Sequence, residues 1–272
     1  MQSKPLVSVV FAAYNEHVQV DRLIKSIKRQ TYPNIEVIVV DDGSSDQTVQ
    51  VARKLHARVF ARLHAERSVQ RNFGVSRAKG KYLLILDADM ELTPDVVSQC
   101  VSKNSEVVFI PEQSIGHNFW EKAKAFERSF YVSGKNHLIE SARFFSRLAF
   151  NKASGYDEAI TGPEDWDLSE RVLKLGYKSA KISAVIYHHE RIKSLWSQAK
   201  KFYYYGQRAH RALSRQSSIL SPKTIYLLRP EFYRQRSKIV AHPTLSLGMI
   251  ILLSNKAISG GLGYLVGRIK NV

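Results

Sequence analysis

The stretch Tyr82-Leu83-Leu84-Ile85-Leu86-Asp87-Ala88-Asp89 decides the fold, because a run of apolar residues leads directly into two aspartates. An apolar run of this length predicts a β-strand that is buried on both faces. The aspartates would then lie just beyond the carboxyl end of the strand, which is the edge of an open α/β sheet where ligands bind. This segment therefore predicts both the kind of sheet and the position of a site.

The N-terminal residues repeat this arrangement, since apolar runs of strand length alternate with segments of helical periodicity. Strands are expected over residues 7–13, 35–40 and 57–63, and helices over residues 18–30, 47–55 and 67–79. Polar clusters follow the first two strands, at Tyr14-Asn15-Glu16 and at residues 41–46. The alternation predicts a parallel, doubly wound sheet that is covered by helices on both faces. Three polar clusters at one edge of that sheet indicate a ligand site.

The second half of the sequence is less regular. A strand is expected over residues 107–111, a helix over 118–131, a strand pair or a strand and turn over 142–150, a helix over 168–175 and a strand over 181–187.

Composition limits the class of protein. The 272 residues are 44% hydrophobic, which suffices for one large α/β domain or two small ones and excludes a collagenous or wholly disordered chain. Lys and Arg number 41 against 24 acidic residues, and the net charge of +17 suggests a polyanionic partner: nucleic acid, anionic lipid or a phosphorylated substrate. A single cysteine, Cys100, allows no disulfide framework and suggests a reducing compartment.

The two aspartates of the Asp87-Ala88-Asp89 loop suit a hard divalent cation that shares its coordination with a diphosphate and water. Two solvated acids at a strand end are the alternative, which the position at the ligand edge makes weaker. Asp41, Asp42 and Asp46 could instead form the turn and cap the following helix.

An ordered series of motifs resembles the family 2 glycosyltransferases, which are inverting enzymes of the GT-A fold. The series is Ser8-Val9-Val10, Tyr14-Asn15-Glu16, Val39-Val40-Asp41-Asp42-Gly43-Ser44-Ser45-Asp46, Arg71-Asn72-Phe73-Gly74, Gly80-Lys81-Tyr82, Leu86-Asp87-Ala88-Asp89 and Glu164-Asp165. The resemblance covers roughly residues 5–189. It implies a Rossmann-like, mostly parallel sheet flanked by helices, in a catalytic domain over residues 1–191 with an extension over residues 192–272.

The resemblance also implies roles in binding a nucleotide-sugar donor, UDP- or GDP-linked. The residues that match the nucleotide-binding positions are Ala13, Tyr14, Glu16 and Asp42 for the base, Arg67 as a basic contact and Asp87 near the ribose. The aspartate that matches Asp89 binds Mg2+ or Mn2+ on the diphosphate, as the second acid of a DXD motif.

The acid that matches Asp165 acts as the general base in the resembling enzymes. An inverting transfer needs one carboxylate facing the acceptor hydroxyl while charge on the leaving phosphate is neutralised. Glu164 and Asp167 are close enough in sequence to serve instead, so the choice among the three acids stays open. Asp165 or Asp167 could also simply cap the following helix.

His188-His189 follows the last expected strand of the catalytic domain. His188 could reach the metal from the side opposite Asp89, as a histidine does in some enzymes of this fold. A phosphate contact or plain packing is the alternative, and His189 is the weaker candidate.

The extension concentrates the positive charge. Residues 191–238 contain twelve Lys or Arg, one acid, Glu231, and many interleaved aromatic residues, and apolar segments follow at 245–253 and 262–266. This pattern predicts helices that lie in an anionic headgroup layer, peripheral or monotopic, more than a spanning helix over 244–266. A solvated basic face with ordinary helix packing is the alternative. The N-terminal residues lack a signal-peptide pattern, so the cytoplasmic face of the membrane is expected.

Three other classes of protein fit the sequence less well. A nucleic-acid-binding protein would share the basic and aromatic residues but not the acidic clusters at strand ends, so nucleic acid is not expected as a partner. A dinucleotide-dependent oxidoreductase lacks its G-x-G-x-x-G after the first strand. A catalytically silent relative that still binds nucleotide sugar is disfavoured by the intact Asp87, Asp89 and Asp165. The expected reaction is metal-dependent transfer of a sugar, with inversion, to a lipid-linked or polysaccharide-precursor acceptor.

Overall fold

The computed structural model describes residues 4–131, 142–214 and 229–270. The strands are β1 (Val7–Ala13), β2 (Ile35–Asp41), β3 (Arg58–Ala61), β4 (Tyr82–Asp87), β5 (Met90–Leu92), β6 (Val107–Phe109), β7 (Glu112–Ile115), β8 (Ala142–Ser146), β9 (Ser179–Lys181) and β10 (Ile186–His189). The helices are α1 (His17–Lys28), α2 (Thr48–Lys54), α3 (Arg67–Arg77), α4 (Val96–Ser102), α5 (Phe119–Arg128), α6 (Arg147–Lys152), α7 (Glu164–Lys174), α8 (Leu195–Ser214), α9 (Pro230–Arg234), α10 (Arg236–Ala241) and α11 (Pro243–Lys270).

The chain divides into two compact units that do not follow chain order. The first unit contains Met1–Glu112, Ser141–Glu158 and Glu164–His188, and the second contains Gln113–Glu140, Ala159–Pro163 and His189–Val272. The domain boundary expected between residues 191 and 192 stays a prediction.

The first unit is built on a seven-stranded sheet with the order β3-β2-β1-β4-β8-β6-β9. Its pairings are parallel, as expected, except that β8 runs antiparallel to both β4 and β6. The chain reaches β8 after an excursion through residues 113–140 of the second unit. The described helix between β6 and β8, α5, belongs to the second unit, so no βαβ unit among the described residues sets the direction of β8. A small second sheet has the order β5-β10-β7, in which β5 and β10 are antiparallel.

The central strands are buried on both faces, as their unbroken apolar runs predict. In β4, Leu84 and Leu86 belong to one core cluster, whereas Leu83 and Ile85 belong to another. Successive residues of a strand point to opposite faces, so the two clusters lie on opposite faces of the sheet. In β4 this burial explains why its one charged residue, Asp87, stands at the end of the strand.

Three expectations about the second half need correction. Residues 142–150 form a strand followed by helix α6, whose N-cap Ser146 accepts a hydrogen bond from the Ala149 amide, instead of a strand pair or a strand and turn. Helix α7 begins at Glu164, so Asp165 and Asp167 lie within its first turn and neither is the cap. The strand expected over 181–187 is divided into β9 and β10. Short apolar runs do not distinguish strand from helix, which accounts for the first of these errors.

The second unit is helical, and its longest helix, α11, packs along α8 and α5. The backbones of α8 and α11 approach closely: a Cβ on Gly263 would overlap the carbonyl oxygen of Tyr203. The face of α11 turned toward the unit includes Met249 and Leu252. The opposite face exposes a stripe of large apolar side chains, namely Leu247, Ile250, Ile251, Ile258, Leu262, Leu265 and Ile269. By length and composition α11 is the one helix among the described residues that could cross a membrane.

Candidate active site

The register of the sheet brings the predicted polar residues to one edge. Ala13 pairs with Asp41, and Ala12 pairs with Asp87. The loops that follow β1, β2 and β4 therefore start side by side at the carboxyl ends of parallel strands, which is where ligands bind in such sheets. The first unit thus has the layout that the sequence predicts.

The loops after β1 and β2 are joined by side-chain hydrogen bonds. Asn15, which adopts a positive φ of 53°, accepts a hydrogen bond from the Ser45 amide at 2.8 Å, and its own amide donates to Ser44 Oγ at 2.9 Å. The Glu16 amide donates to Thr48 Oγ1 at 2.8 Å. Asn is one of the residues that tolerate the left-handed region, and here hydrogen bonds to the loop after β2 hold it there. These bonds fix the loop that carries Tyr14.

The predicted base-binding residues meet a histidine that the sequence argument missed. Asp42 is buried, accepts a hydrogen bond from the Ala65 amide at 2.9 Å and lies 2.7 Å from His64 Nδ1. The ring centroids of His64 and Tyr14 are 5.3 Å apart. The Ala13 carbonyl accepts from the Asp42 amide at 2.9 Å. Ala13, Tyr14 and Asp42 therefore form one pocket wall, and its half-exposed Tyr14 ring offers an apolar face.

A cluster of two aspartates and two arginines occupies the end of β4. This edge cluster consists of Asp87, Asp165, Arg71 and Arg143. Arg71 Nη2 pairs with Asp87 Oδ1, and Arg71 Nη1 lies 3.0 Å from Asp165 Oδ1. Arg143 makes the equivalent contacts on the other side, at 3.2 Å to Asp87 Oδ2 and 3.3 Å to Asp165 Oδ2. Each arginine thus bridges the same two carboxylates, which come from β4 and α7.

Both arginines are almost completely buried, so their charges interact strongly with those of the two aspartates. Burial alone would raise the pKa of Asp87, but Arg71 and Arg143 outweigh burial and hold its pKa well below the usual range. Tyr156 donates its hydroxyl hydrogen to Asp165 Oδ1 at 3.0 Å. Its pKa is raised well above the usual value by burial and by the Asp165 charge. Asp87 is therefore ionised at neutral pH, and Tyr156 is a hydrogen-bond donor.

The other acids at the start of α7 are paired differently. Glu164 Oε1 lies 3.0 Å from Arg67 Nη2 and 3.5 Å from Arg71 Nη1, and its side chain is only 1% exposed. Asp167 Oδ2 accepts from Arg171 Nε at 2.8 Å. Asp165 is 17% exposed and Glu164 only 1%, so a ligand can reach Asp165 more readily than Glu164. Arg67, predicted to contact the nucleotide, here contacts Glu164.

Asp89 and His188 lie across from each other in the small sheet. Antiparallel pairing sets His188 opposite Met90, the residue next to Asp89. His188 Nε2 is 3.5 Å from Asp89 Oδ1. Among the described residues no group of three or more His, Cys, Asp or Glu is arranged to hold a metal ion. One carboxylate and one imidazole do fit a divalent cation that takes its remaining ligands from phosphate and water, as Mg2+ commonly does.

Arg143, Tyr156 and Glu112 are site residues that the sequence argument did not single out. Arg143 lies within the apolar run Ala142-Arg143-Phe144-Phe145. A charge inside a buried strand requires a partner, so this residue carried a usable signal. Glu112 carried none, because its partners Arg143 and His188 are distant in sequence.

The mostly parallel sheet with flanking helices has the GT-A fold, as comparison with solved structures shows. A mannosyltransferase from Pyrobaculum calidifontis, solved with GDP-Man and Mn2+, shares the fold with a TM-score of 0.58, over 99% of this chain and 88% of that one, at 18% identity. Residues 8–150, more than half of the chain, match the family described as Glycosyl transferase family 2. The chain belongs to this family.

The names of two sequence relatives are consistent with this family assignment. The chain is 27% identical to a chondroitin synthase of Pasteurella multocida over 224 residues, covering 73% of this chain and 22% of that one. It is 28% identical over 159 residues to the GalNAc(5)-diNAcBac-PP-undecaprenol beta-1,3-glucosyltransferase of Campylobacter jejuni, covering 52% and 51% of the two chains. The chain therefore spans about a fifth of the synthase and half of the glucosyltransferase.

Proposed function

We propose that the chain is a metal-dependent, inverting glycosyltransferase that moves a sugar from a UDP- or GDP-linked donor to a lipid-linked or polysaccharide-precursor acceptor. The observation that carries the proposal is the edge cluster, in which Asp165 of α7 is held beside Asp87 at the carboxyl edge of the sheet. A transfer with inversion needs a carboxylate that faces the acceptor hydroxyl beside the donor, and Asp165 would supply one at the edge of the sheet where ligands bind.

In the proposed donor site, Tyr14 and Asp42 face the base, the loop residues Ala13 and Glu16 shape its pocket, and Asp87 lies near the ribose. Arg67 would contact the nucleotide. Its present partner, Glu164, is close by at 3.0 Å, and the guanidinium is 42% exposed, which leaves it accessible to a phosphate. A mannosyltransferase of this fold was solved with GDP-Man, which supports a nucleotide-sugar donor without deciding the base.

Asp89 and His188 would hold Mg2+ or Mn2+. When bound, such an ion neutralises negative charge on the diphosphate that leaves. The same mannosyltransferase structure contains Mn2+, which supports a metal of this kind.

Asp165 is the general base in this proposal. Hydrogen bonds from Arg71, Arg143 and Tyr156 fix the orientation of its carboxylate, which would accept the acceptor's proton. Both carboxylate oxygens already accept hydrogen bonds, so an incoming acceptor has to displace at least one of these donors. Glu164 is more deeply buried, and Asp167 is held by Arg171, which supports Asp165 over either neighbour.

The second unit is proposed to bind an anionic membrane surface at the cytoplasmic face, which would concentrate a lipid-linked acceptor. The exposed apolar stripe of α11 offers the hydrophobic face, and α8 runs along α11 with exposed Lys200 and Lys201. Crossing the bilayer would draw these lysines toward the hydrocarbon core, which is costly. An orientation in the plane of the interface is therefore favoured, and the name of the Campylobacter relative, an undecaprenol-linked glucosyltransferase, supports a lipid-linked acceptor.

The enzymatic proposal is tested by measuring release of nucleoside diphosphate from a panel of UDP- and GDP-sugars, with Mg2+, with Mn2+ and with EDTA. We expect at least one donor to be turned over, and chelation to abolish turnover. Binding of a donor without turnover in the presence of candidate acceptors would point to a silent relative. Failure to bind any nucleotide sugar would contradict the proposal.

The membrane proposal is tested by flotation with phosphatidylglycerol vesicles and with phosphatidylcholine vesicles. The double variant Ile258→Asn and Leu262→Asn should lower vesicle binding at least about 10-fold, because each buried aliphatic side chain contributes roughly 1.5–3 kcal/mol. A matched control replaces Leu148 and Leu175, equally exposed residues of the first unit, and should bind as wild type does. Equal loss in both double variants, or no preference for anionic vesicles, would contradict the assignment.

A further inference from the structure

His188 lies between two carboxylates. Its Nε2 atom is 3.5 Å from Asp89 Oδ1, and its Nδ1 atom is 3.6 Å from Glu112 Oε2. All three side chains are mostly buried, with exposed fractions of 16% for His188, 22% for Asp89 and 12% for Glu112. Both separations are ion-pair distances, longer than hydrogen bonds, and they place one carboxylate beside each ring nitrogen.

Glu112 is itself held in place by a buried guanidinium. Arg143 Nε donates to Glu112 Oε1 at 2.8 Å, while the other carboxylate oxygen, Oε2, is the one that faces His188. Because Arg143 also contacts Asp87 and Asp165, the position of Glu112 is tied to the edge cluster. Charge-assisted hydrogen bonds in a desolvated setting hold their geometry well, so Glu112 can act as a rigid support.

A neutral imidazole carries one N–H, and the group that accepts it determines which nitrogen keeps a free lone pair. A histidine that ligates a metal usually donates its second N–H to a carboxylate, which fixes both the tautomer and the ring orientation. In this chain the carboxylate in that position is Glu112, at the Nδ1 side. The lone pair then falls on Nε2, the atom that faces Asp89.

We propose that Glu112 is a positioning residue that keeps the proton of His188 on Nδ1 and so presents Nε2, together with Asp89, to the divalent cation. The inference rests on the proposed metal-dependent function and deepens it, because it assigns a role to a residue outside the recognised motifs. Glu112 acts only through His188 and touches neither substrate nor metal.

The test is a titration of the full chain with Mn2+, in which free Mn2+ is followed by electron paramagnetic resonance. It is performed with Mn2+ alone, with UDP and with GDP. Glu112→Gln should weaken Mn2+ binding by about 10–100-fold, the usual cost of losing the carboxylate partner of a ligating histidine. Glu112→Asp, which keeps the charge, should recover part of this loss, and His188→Ala should lose at least as much as Glu112→Gln.

The matched control is Glu36→Gln. Glu36 is also a mostly buried carboxylate of the first unit with a bound arginine, Arg58, and it should leave Mn2+ affinity unchanged. Affinity of Glu112→Gln or His188→Ala within two-fold of wild type would overturn the inference, as would the absence of measurable Mn2+ binding by wild type in all three arms.

A second readout needs no variant. The nitrogen chemical shifts of His188 in the Mg2+-loaded wild-type protein report its tautomer, and the inference requires the proton on Nδ1. A proton on Nε2 would overturn it even if Glu112→Gln failed to fold. Donor turnover, measured on the same preparations, separates the two ideas. Turnover with Mn2+ affinity insensitive to Glu112 rejects only the positioning role, whereas Mn2+ binding that depends on Glu112 in a protein that binds no donor rejects only the transferase proposal.

Discussion

Each of the two units contains a buried cluster of charges, and the two clusters are built in opposite ways. In the edge cluster, Arg71 and Arg143 hold two carboxylates of like charge, Asp87 and Asp165, against each other. In the second unit, the single carboxylate Glu127 is approached by Lys124, by Arg229 at 3.8 Å and by the Tyr131 hydroxyl at 2.9 Å. We call these three partners and Glu127 the helical cluster.

We interpret the edge cluster as serving the chemistry of the site and the helical cluster as stabilising the fold. Carboxylates held side by side repel each other, and a fold retains such an arrangement where its chemistry uses it. A carboxylate surrounded by donors and cations has its charge compensated and stabilises the fold around it. Neutralising Asp165 in the edge cluster should therefore abolish activity, whereas neutralising Glu127 should lower stability and leave activity largely unchanged.

The largest expected effect is that of Asp165→Asn on turnover. Loss of a general base lowers the rate by about 10²–10⁴-fold, and we expect a decrease in this range in the release of nucleoside diphosphate. The amide can still accept hydrogen bonds from Arg71 and Tyr156, so circular dichroism should show a folded protein. Asp21→Asn, a change at an exposed ion pair with Lys25, is the control and should keep full activity. Retained activity in Asp165→Asn would shift the role to Glu164 or Asp167.

Next in size is the effect of Arg143→Met on stability. The substitution removes a buried cation and leaves Asp87, Asp165 and Glu112 with one partner fewer each, which should lower the free energy of unfolding by about 3–5 kcal/mol. Urea denaturation measures the change. Arg58→Met removes an arginine whose side chain is 41% exposed and should cost less than about 1 kcal/mol. Equal costs for the two variants would mean that Arg143 does not hold the edge cluster together.

Glu127→Gln tests the helical cluster through its pH dependence. Burial opposes ionisation of Glu127, but Lys124, Lys256 and Arg229 outweigh it and lower its pKa to about 2, from a usual value of 4.5. Because the folded-state pKa is the lower one, the charge stabilises the fold fully above pH 4.5, and this contribution is lost as pH falls toward 2. At pH 7 the variant should be less stable by roughly 3 kcal/mol.

Measured by urea denaturation, the difference between wild type and Glu127→Gln should shrink steadily below pH 4.5. Turnover of a donor with a water-soluble acceptor should remain within two-fold of wild type. A stability difference that does not depend on pH, or a loss of turnover comparable to that of Asp165→Asn, would remove the contrast between the two clusters.

The smallest expected effect concerns the packing of α11 on α8. Gly263→Ala places a methyl group against the Tyr203 carbonyl and should lower the free energy of unfolding by about 1–3 kcal/mol, as overpacking does. Gly261→Ala in the same helix meets nothing within 4 Å, and the higher helix propensity of alanine should leave stability equal or slightly raised. Opposite signs for these neighbouring substitutions would confirm the close helix contact, and equal signs would contradict it.

The sequence predicted those strands whose apolar pattern matches their burial in the folded structure. Strands β1 and β4 are apolar throughout because both of their faces are buried, so their ends, and hence the loops at Tyr14 and Asp87, could be located from the sequence. The family and the fold class were predicted correctly on these residues.

The sequence did not predict contacts between distant residues. Arg143 reaches Asp87 because β8 pairs antiparallel with β4, and nothing local sets that direction. Glu112 reaches His188 although 76 positions separate them in sequence. The early start of α7 was missed because its first turn is acidic instead of apolar, although acids favour the N-terminal end of a helix through its dipole.

The most direct test of the central claim is a crystal structure of the chain with Mn2+ and UDP, and a second with Mn2+ and GDP, with the metal located by anomalous scattering. The account predicts a Mn2+ peak within bonding distance of Asp89 and His188 Nε2, with the base of the bound nucleotide against Tyr14 and Asp42 and its diphosphate on the metal. A nucleotide bound away from the carboxyl edge of the sheet, or a metal that contacts neither Asp89 nor His188, would contradict it.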